Sequence, residues 1–137
     1  MGFGNQLAVY LAGPINGCTD EEAKGWRDQM VAGIDGVTFF DPMERDYRGE
    51  ELANVQQLVE RDKQLIEQSD YVVANVWKPS TGTAMEILHA HYVGRPVILI
   101  APDGEKISPW LVYHASYRVG SVEEAIALLK DRIEERL

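Results

Sequence analysis

Pro79-Ser80-Thr81-Gly82-Thr83-Ala84-Met85-Glu86-Ile87 is the stretch on which the reading of this chain turns. It follows an apolar run, Tyr71-Val72-Val73-Ala74-Asn75-Val76-Trp77, with the length and composition of a buried strand. It leads into Ile87-Leu88-His89-Ala90-His91-Tyr92-Val93, too apolar for a surface loop, so a helix is expected from about residue 82 to 93. Strand, glycine-bearing turn and helix, in that order, aim backbone N–H groups and a helix N-terminus at a ligand. Glu86 is the only acid between Tyr71 and Pro102. A carboxylate in so apolar a segment is costly to bury without a partner or a task. The plain alternative is a capping or first-turn glutamate.

On the N-terminal side, Leu7-Ala8-Val9-Tyr10-Leu11-Ala12 is another unbroken apolar run, closed by a turn at Gly13-Pro14-Ile15-Asn16-Gly17. Thr19-Asp20-Glu21-Glu22 has the form of a capping box, opening a helix whose apolar face is Ala23, Trp26, Met30 and Ile34. Val37-Thr38-Phe39-Phe40 reads as a second strand, closed by Asp41-Pro42. Residues 43–51 are charged and aperiodic; they read as a solvated loop, or as a lid in which Arg45 or Arg48 meets an anionic substrate. A helix then runs from Glu51 to Ser69, with Leu52, Val55, Leu58, Val59 and Ile66 on one stripe. Asp62 falls inside that stripe, where neither capping nor solubility explains an acid. It must be satisfied internally or face a cavity.

Beyond the central stretch come a third all-apolar strand, Val97-Ile98-Leu99-Ile100-Ala101, and a turn at Pro102-Asp103-Gly104. A short helix with Pro109 at its first position covers Trp110 to His114, and a brief strand follows near Ser116–Val119. Ser121-Val122-Glu123-Glu124 caps a last helix with Val122, Ile126, Leu129 and Ile133 on its core face. Alternating helices and unalternated apolar strands predict an α/β doubly wound sandwich, a five-stranded parallel sheet covered on both faces. Ligands of such sheets bind beyond the carboxyl ends of the strands, at the switch in strand order. Gly13-Pro14, Asp41-Pro42 and Pro79–Gly82 all gather there.

With 137 residues the chain is read as a single domain, residues 1–137. A net charge of −9 without a basic stripe argues against a nucleic-acid partner, though not against a small anion held by backbone amides. Cys18 is the only cysteine, so neither a disulfide nor a thiolate cluster is expected. His89, His91 and His114 lack a metal-ligand spacing. No stretch approaches membrane-spanning length, and the N-terminus lacks a basic region followed by an apolar one, so a cytoplasmic location is expected.

Tyr10-Leu11-Ala12-Gly13-Pro14-Ile15, Asp41-Pro42, Asp62 ahead of Ser69-Asp70, and Gly82-Thr83-Ala84-Met85-Glu86-Ile87 together resemble the nucleoside 2-deoxyribosyltransferase family, which includes deoxynucleoside 5′-monophosphate N-hydrolases. The resemblance runs from Tyr10 to the Trp110–His114 segment and implies a flavodoxin-like fold. It implies that Glu86 is the nucleophile toward the anomeric carbon of deoxyribose, that Asp62 assists departure of the base, and that Tyr10 orients the nucleophile. It also implies substrate contacts from Ala12, Gly13, Pro14, Ile15, Asp41, Ser80, Gly82, Thr83 and Met85, and a homo-oligomer in which Trp110 and His114 reach a neighbour's site. No metal or other cofactor is called for. Two carboxyls suit the chemistry, since a covalent N-glycosidic cleavage needs an ionised nucleophile on one face and a proton donor near the base.

Six residues before Glu86 the transferases typically carry an Asp that contacts the base; Ser80 here is similar to the monophosphate hydrolases, where it helps hold the phosphate. Those hydrolases, however, carry Ser and Arg where this chain has Pro14 and Asn16. Ser80 serves equally as a plain N-cap. Transfer to a base and transfer to water therefore both stand, on a deoxynucleoside or its monophosphate. A non-catalytic nucleotide sensor is the reading from another class.

Overall fold

The strand β1 (Leu7–Ala12) lies inside a five-stranded sheet, paired in parallel with β2 (Val37–Phe40) on one side and β3 (Tyr71–Asn75) on the other. The computed structural model describes residues 6–102 and 106–136. β4 (Val97–Ile100) and β5 (Tyr117–Val119) extend the sheet beyond β3, giving the order β2-β1-β3-β4-β5 with every pairing parallel. This is the flavodoxin-like arrangement, and the chain's direction of winding switches between β1 and β3.

Helices α1 (Asp20–Gly33) and α5 (Val122–Arg136) cover one face; α2 (Val55–Glu67), α3 (Thr81–Tyr92) and the short α4 (Pro109–His114) cover the other. Alternation along β1 serves both layers: Leu7, Val9 and Leu11 pack with Trp26, Met30 and Leu129, while Tyr10 and Ala12 pack with Ile66, Ile87 and Ala90. Tyr10 is thereby committed to the α2/α3 side. Register carries the alternation across the sheet, with Val9 opposite Tyr71 and Ala12 opposite Ala74.

Element ends follow local chemistry. The capping box of α1 is formed, with Glu22 N–H donating to the Thr19 hydroxyl at 3.1 Å and Thr19 N–H to the Glu22 carboxylate at 2.9 Å. β3 stops at Asn75 rather than Trp77, because the chain there leaves the sheet toward the cap of α3. The helix expected over 51–69 is divided into a 3₁₀ turn (Leu52–Asn54) and α2, since Asn54 takes a non-helical conformation at φ −126°, ψ 29°. The turn expected at Pro102–Gly104 falls mostly outside the described residues.

The apolar stripe of α2 departs from a core face. Only Ile66 is buried; Leu52 is 92% exposed and Val55 51%. The stripe lines an open cleft instead of packing on the sheet, so its periodicity announced a binding wall.

The α1/α5 layer makes no contribution to that cleft except at the end of β1, so a core truncation there should cost stability and spare the site. Leu129→Ala, at a fully buried position, is expected to lower unfolding free energy by roughly 2–5 kcal/mol. Denaturant unfolding with parallel ligand-binding or activity measurements on the folded protein checks both halves.

Candidate active site

At the carboxyl ends of β1 and β3 a cavity of about 600 Å³ opens between the 13–16 turn, the 42–52 segment, α2 and α3. That volume suits a nucleoside-sized ligand. Tyr10, fully buried behind the cavity wall, donates a hydrogen bond from its hydroxyl to Glu86 Oε2. Ser80 fixes the start of α3, accepting from Thr83 N–H at 3.3 Å and from the Thr83 hydroxyl at 3.0 Å. Because the cap sets the helix phase, Glu86, six residues on, turns back toward β1. Asp62, on the cleft face of α2, lies close enough for its charge to act on both Tyr10 and Glu86. Three residues from three elements therefore meet at one point.

Their electrostatics follow from that meeting. Glu86 borders the cavity as a half-exposed residue, but its carboxyl is set deep among protein groups. Burial pushes its pKa up to about 8, with the charge of Asp62 adding to the rise, while the Tyr10 hydrogen bond and the Arg27 charge oppose it. Burial likewise raises Asp62 to about 6, against the nearby polar groups of Tyr10 and Glu86 and the charges of Arg61 and Arg27. Tyr10 is pushed well above the ordinary phenol value, first by burial and then by the two carboxylates, so it stays a donor. The two carboxyls titrate as a pair and hold a shared proton near neutrality.

Around them, Gly13, Ile15, Ser80, Gly82, Thr83 and Met85, singled out in the sequence, line the cavity. Ala12, Pro14 and Asp41 do not. Ala12 is part of the α2/α3 core and Pro14 is buried. Asp41 accepts from Met43 N–H at 2.8 Å and pairs with Arg27 at 3.5 Å, so it supports the wall rather than forming it. Trp110 and His114 lie outside this chain's cavity; His114 is buried and its Nδ1 is 2.7 Å from the Trp110 carbonyl oxygen. In the charged loop Arg48 is taken up by Asp20, Asp46 and the Cys18 carbonyl oxygen, whereas Arg45 is exposed along the cavity. Arg61 and Lys63 add further positive charge to the rim.

Sequence reasoning passed over Arg27. It is 0% exposed and its guanidinium sits under the end of β1. The signal was present, since Arg27 falls between Ala23 and Met30 on the apolar face of α1, the argument that singled out Asp62.

The profile of the nucleoside 2-deoxyribosyltransferase family matches residues 9–129. The chain belongs to that family. Within it, a 5-hydroxymethyl-dUMP N-hydrolase of Mus musculus is 32% identical over 105 residues, 73% of this chain and 61% of that protein. The chain thus spans about three-fifths of the length of this curated relative. Among solved structures, a 2-deoxyribosyltransferase from Bacillus psychrosaccharolyticus superposes with a TM-score of 0.71 at 22% identity, covering 87% of this chain and 90% of that one. A Clostridium botulinum CMP N-glycosidase superposes at 0.61 with 20% identity, covering 90% and 98%. These two likenesses are of fold. As in other doubly wound folds, this family member places its cavity at the switch point.

The carboxyl pair carries a stability signature of definite sign. Both groups are raised above their ordinary values, so folding favours their protonated forms. The stability they contribute is present below the unfolded pKa, 4.5 for Glu86, and is lost as pH climbs toward about 8. Glu86→Gln should therefore melt higher than the natural protein, by a margin that widens between about pH 5 and about pH 8. Thermal melts across that range check it; a margin independent of pH would show that Glu86 ionises without penalty.

Proposed function

We propose that this chain cleaves the N-glycosidic bond of a 2′-deoxynucleoside or its 5′-monophosphate, through a covalent deoxyribosyl ester on Glu86. The observation that carries the reading is the meeting of Asp62 and Glu86 in the cavity lining, with Tyr10 hydrogen-bonded to Glu86 from behind it. A Glu86 carboxylate oxygen forms a bond to C1′ as the C1′–N bond breaks, and the bond's electron pair leaves with the base. Asp62 delivers the proton that makes the base a neutral leaving group. Water or a second base then attacks C1′, breaks the ester and restores Glu86, while Asp62 takes back a proton. Tyr10 holds the attacking carboxyl in place. A site built only for binding has no use for two carboxyls that cost stability when ionised, which weighs against the sensor reading.

Two features favour the monophosphate and water. The cavity rim is cationic, through Arg45, Arg61 and Lys63, in a chain of net charge −9. The N-terminus of α3, capped by Ser80, presents its first turn to the cavity, where an anion is stabilised. The mouse relative, a nucleotide N-hydrolase by name, points the same way.

Incubation with each 2′-deoxynucleoside plus a second free base, and separately with each 5′-monophosphate, tests the reading by chromatography of products. Free base with deoxyribose 5-phosphate is expected. Base exchange would make the chain a transferase, and no turnover of any of these would favour the sensor. Glu86→Gln is expected to lose on the order of 10³-fold or more in rate while keeping its fold. A folded variant near full activity would remove Glu86 as nucleophile.

The same family reading makes the protein a homo-oligomer with Trp110 of one subunit beside a neighbour's cleft. Trp110 and Tyr113 are each 74% exposed, and Tyr92, which lines the cavity, is 76% exposed. Such aromatic side chains are common anchors of interface cores. Light scattering should show more than one subunit at micromolar concentration, and Trp110→Asp should yield monomer with reduced activity. A fully active natural monomer would overturn the arrangement.

A further inference from the structure

We propose that Arg27 is a positioning residue for Glu86: lodged beneath the end of β1, its guanidinium fixes the backbone beyond Tyr10 and supplies positive charge that favours the ionised form of Glu86. The inference rests on the reading of Glu86 as the nucleophile, and it concerns what favours that nucleophile's charged form in a site that disfavours charge.

Arg27 belongs to α1, on the opposite face of the sheet from Asp62 and Glu86, yet its side chain reaches the carboxyl edge. Nη1 donates to the Ala23 carbonyl oxygen of its own helix. Nη2 lies 3.1 Å from the Gly13 carbonyl oxygen and 3.4 Å from that of Leu11. Those two carbonyls bracket Ala12, two residues after Tyr10, so the guanidinium holds the turn that carries Gly13 into the cavity wall. Space there is tight: a Cβ on Gly13 would stand 2.8 Å from Trp26 Cζ2 and 3.4 Å from Arg27 Nη2. On its remaining side Nε is 3.5 Å from Asp41 Oδ1, just before Pro42 of the cavity wall, and makes no hydrogen bond.

The charge balance is what calls for a role. A buried guanidinium is costly, and an apolar side chain of similar volume would pack α1 on the sheet at no such cost. Its ionic partner among the described residues, Asp41, is not hydrogen-bonded to it and shares Oδ1 with the Met43 N–H. The carbonyl groups solvate the cation without cancelling it. Much of the charge therefore remains to act beyond Asp41, on Glu86. The groups acting on Glu86 are Tyr10 from β1, Asp62 from α2 and Arg27 from α1; Asp41 and Cys18 act on Arg27, and Arg61 acts on Asp62. On α3 itself, His89 is turned to Glu67 at 2.9 Å. Among the leading influences on Glu86, Arg27 is the one that brings a positive charge.

The test reads the Glu86 carboxyl directly. Protein labelled with carbon-13 at glutamate carboxyls is titrated by NMR, and the Glu86 signal is the one absent from Glu86→Gln. In Arg27→Met the midpoint should rise by about one pH unit or more. Arg27→Lys, which restores the charge without the fork, should return most of that rise. Asp41→Asn, which frees the guanidinium of its partner while keeping an acceptor for Met43 N–H, should lower the midpoint. Midpoints that stay in place in folded Arg27→Met and Asp41→Asn overturn the proposal and leave Arg27 a packing residue. Should Arg27→Met fail to fold, Asp41→Asn decides by itself, an unmoved midpoint counting against the proposal. Because the titration needs no turnover, it is independent of the nucleophile reading: shifted midpoints with an active Glu86→Gln would sink that reading and leave the hold of Arg27 on Glu86 intact.

Discussion

One hydrogen bond, from the Tyr10 hydroxyl to Glu86, joins β1 to α3 across 76 positions of sequence. Much of the architecture can be seen as the means of making it. Strand alternation sends Tyr10 to the α2/α3 face, the Ser80 cap phases α3 so that Glu86 returns to the strand, and α2 brings Asp62 alongside. The meeting imposes a constraint of its own, because two carboxyls so close in a poorly solvated pocket cannot both ionise freely. The chain meets that constraint with a phenol that cannot lose its proton near neutrality and a cation approaching from behind the sheet.

The two layers of helix divide the labour. Beneath α1 and α5 lies a closed apolar core of Leu, Val, Ile and Met side chains with Trp26 at its edge. Beneath α2 and α3 the core is continuous only near the sheet; farther out it gives way to the cleft. Arg27 is the place where the closed layer touches the open one. A residue of the supporting layer thus acts on the chemistry of the other by passing under the end of a strand, where carbonyl groups free of the sheet can receive it.

Strands and capped helices were legible because each rests on a local pattern: unbroken apolar runs for β1, β3 and β4, and Thr19-x-x-Glu22 for α1. Glu86 and Asp62 were legible for the opposite reason, as acids where the pattern has no place for them. Arg27 breaks the pattern of α1 in the same way, but a lone basic residue in a helix reads as an ordinary surface charge until its face is plotted. Asp41 falls at the expected edge, but its pairing with Arg27 was not legible, since a strand-end Asp-Pro carries no mark of which side chain will pair with it. The stripe from Leu52 to Val59 shows the limit of periodicity: it identifies a face that avoids water, and cannot say whether a core or a cleft receives it.

That stripe has a mechanical consequence. α2 is anchored to the core by Ile66 near its C-terminal end, while Val55 and Val59, toward its N-terminus, face open space. A helix tethered in this way resembles a beam clamped at one end. Its free turns draw little cooperative support from the core, so their amides should exchange with solvent sooner than those around Ile66. The clamped end, only a turn from Asp62, keeps that acid in register. The width of the cleft can therefore adjust to different occupants without disturbing the spacing of the three reacting groups.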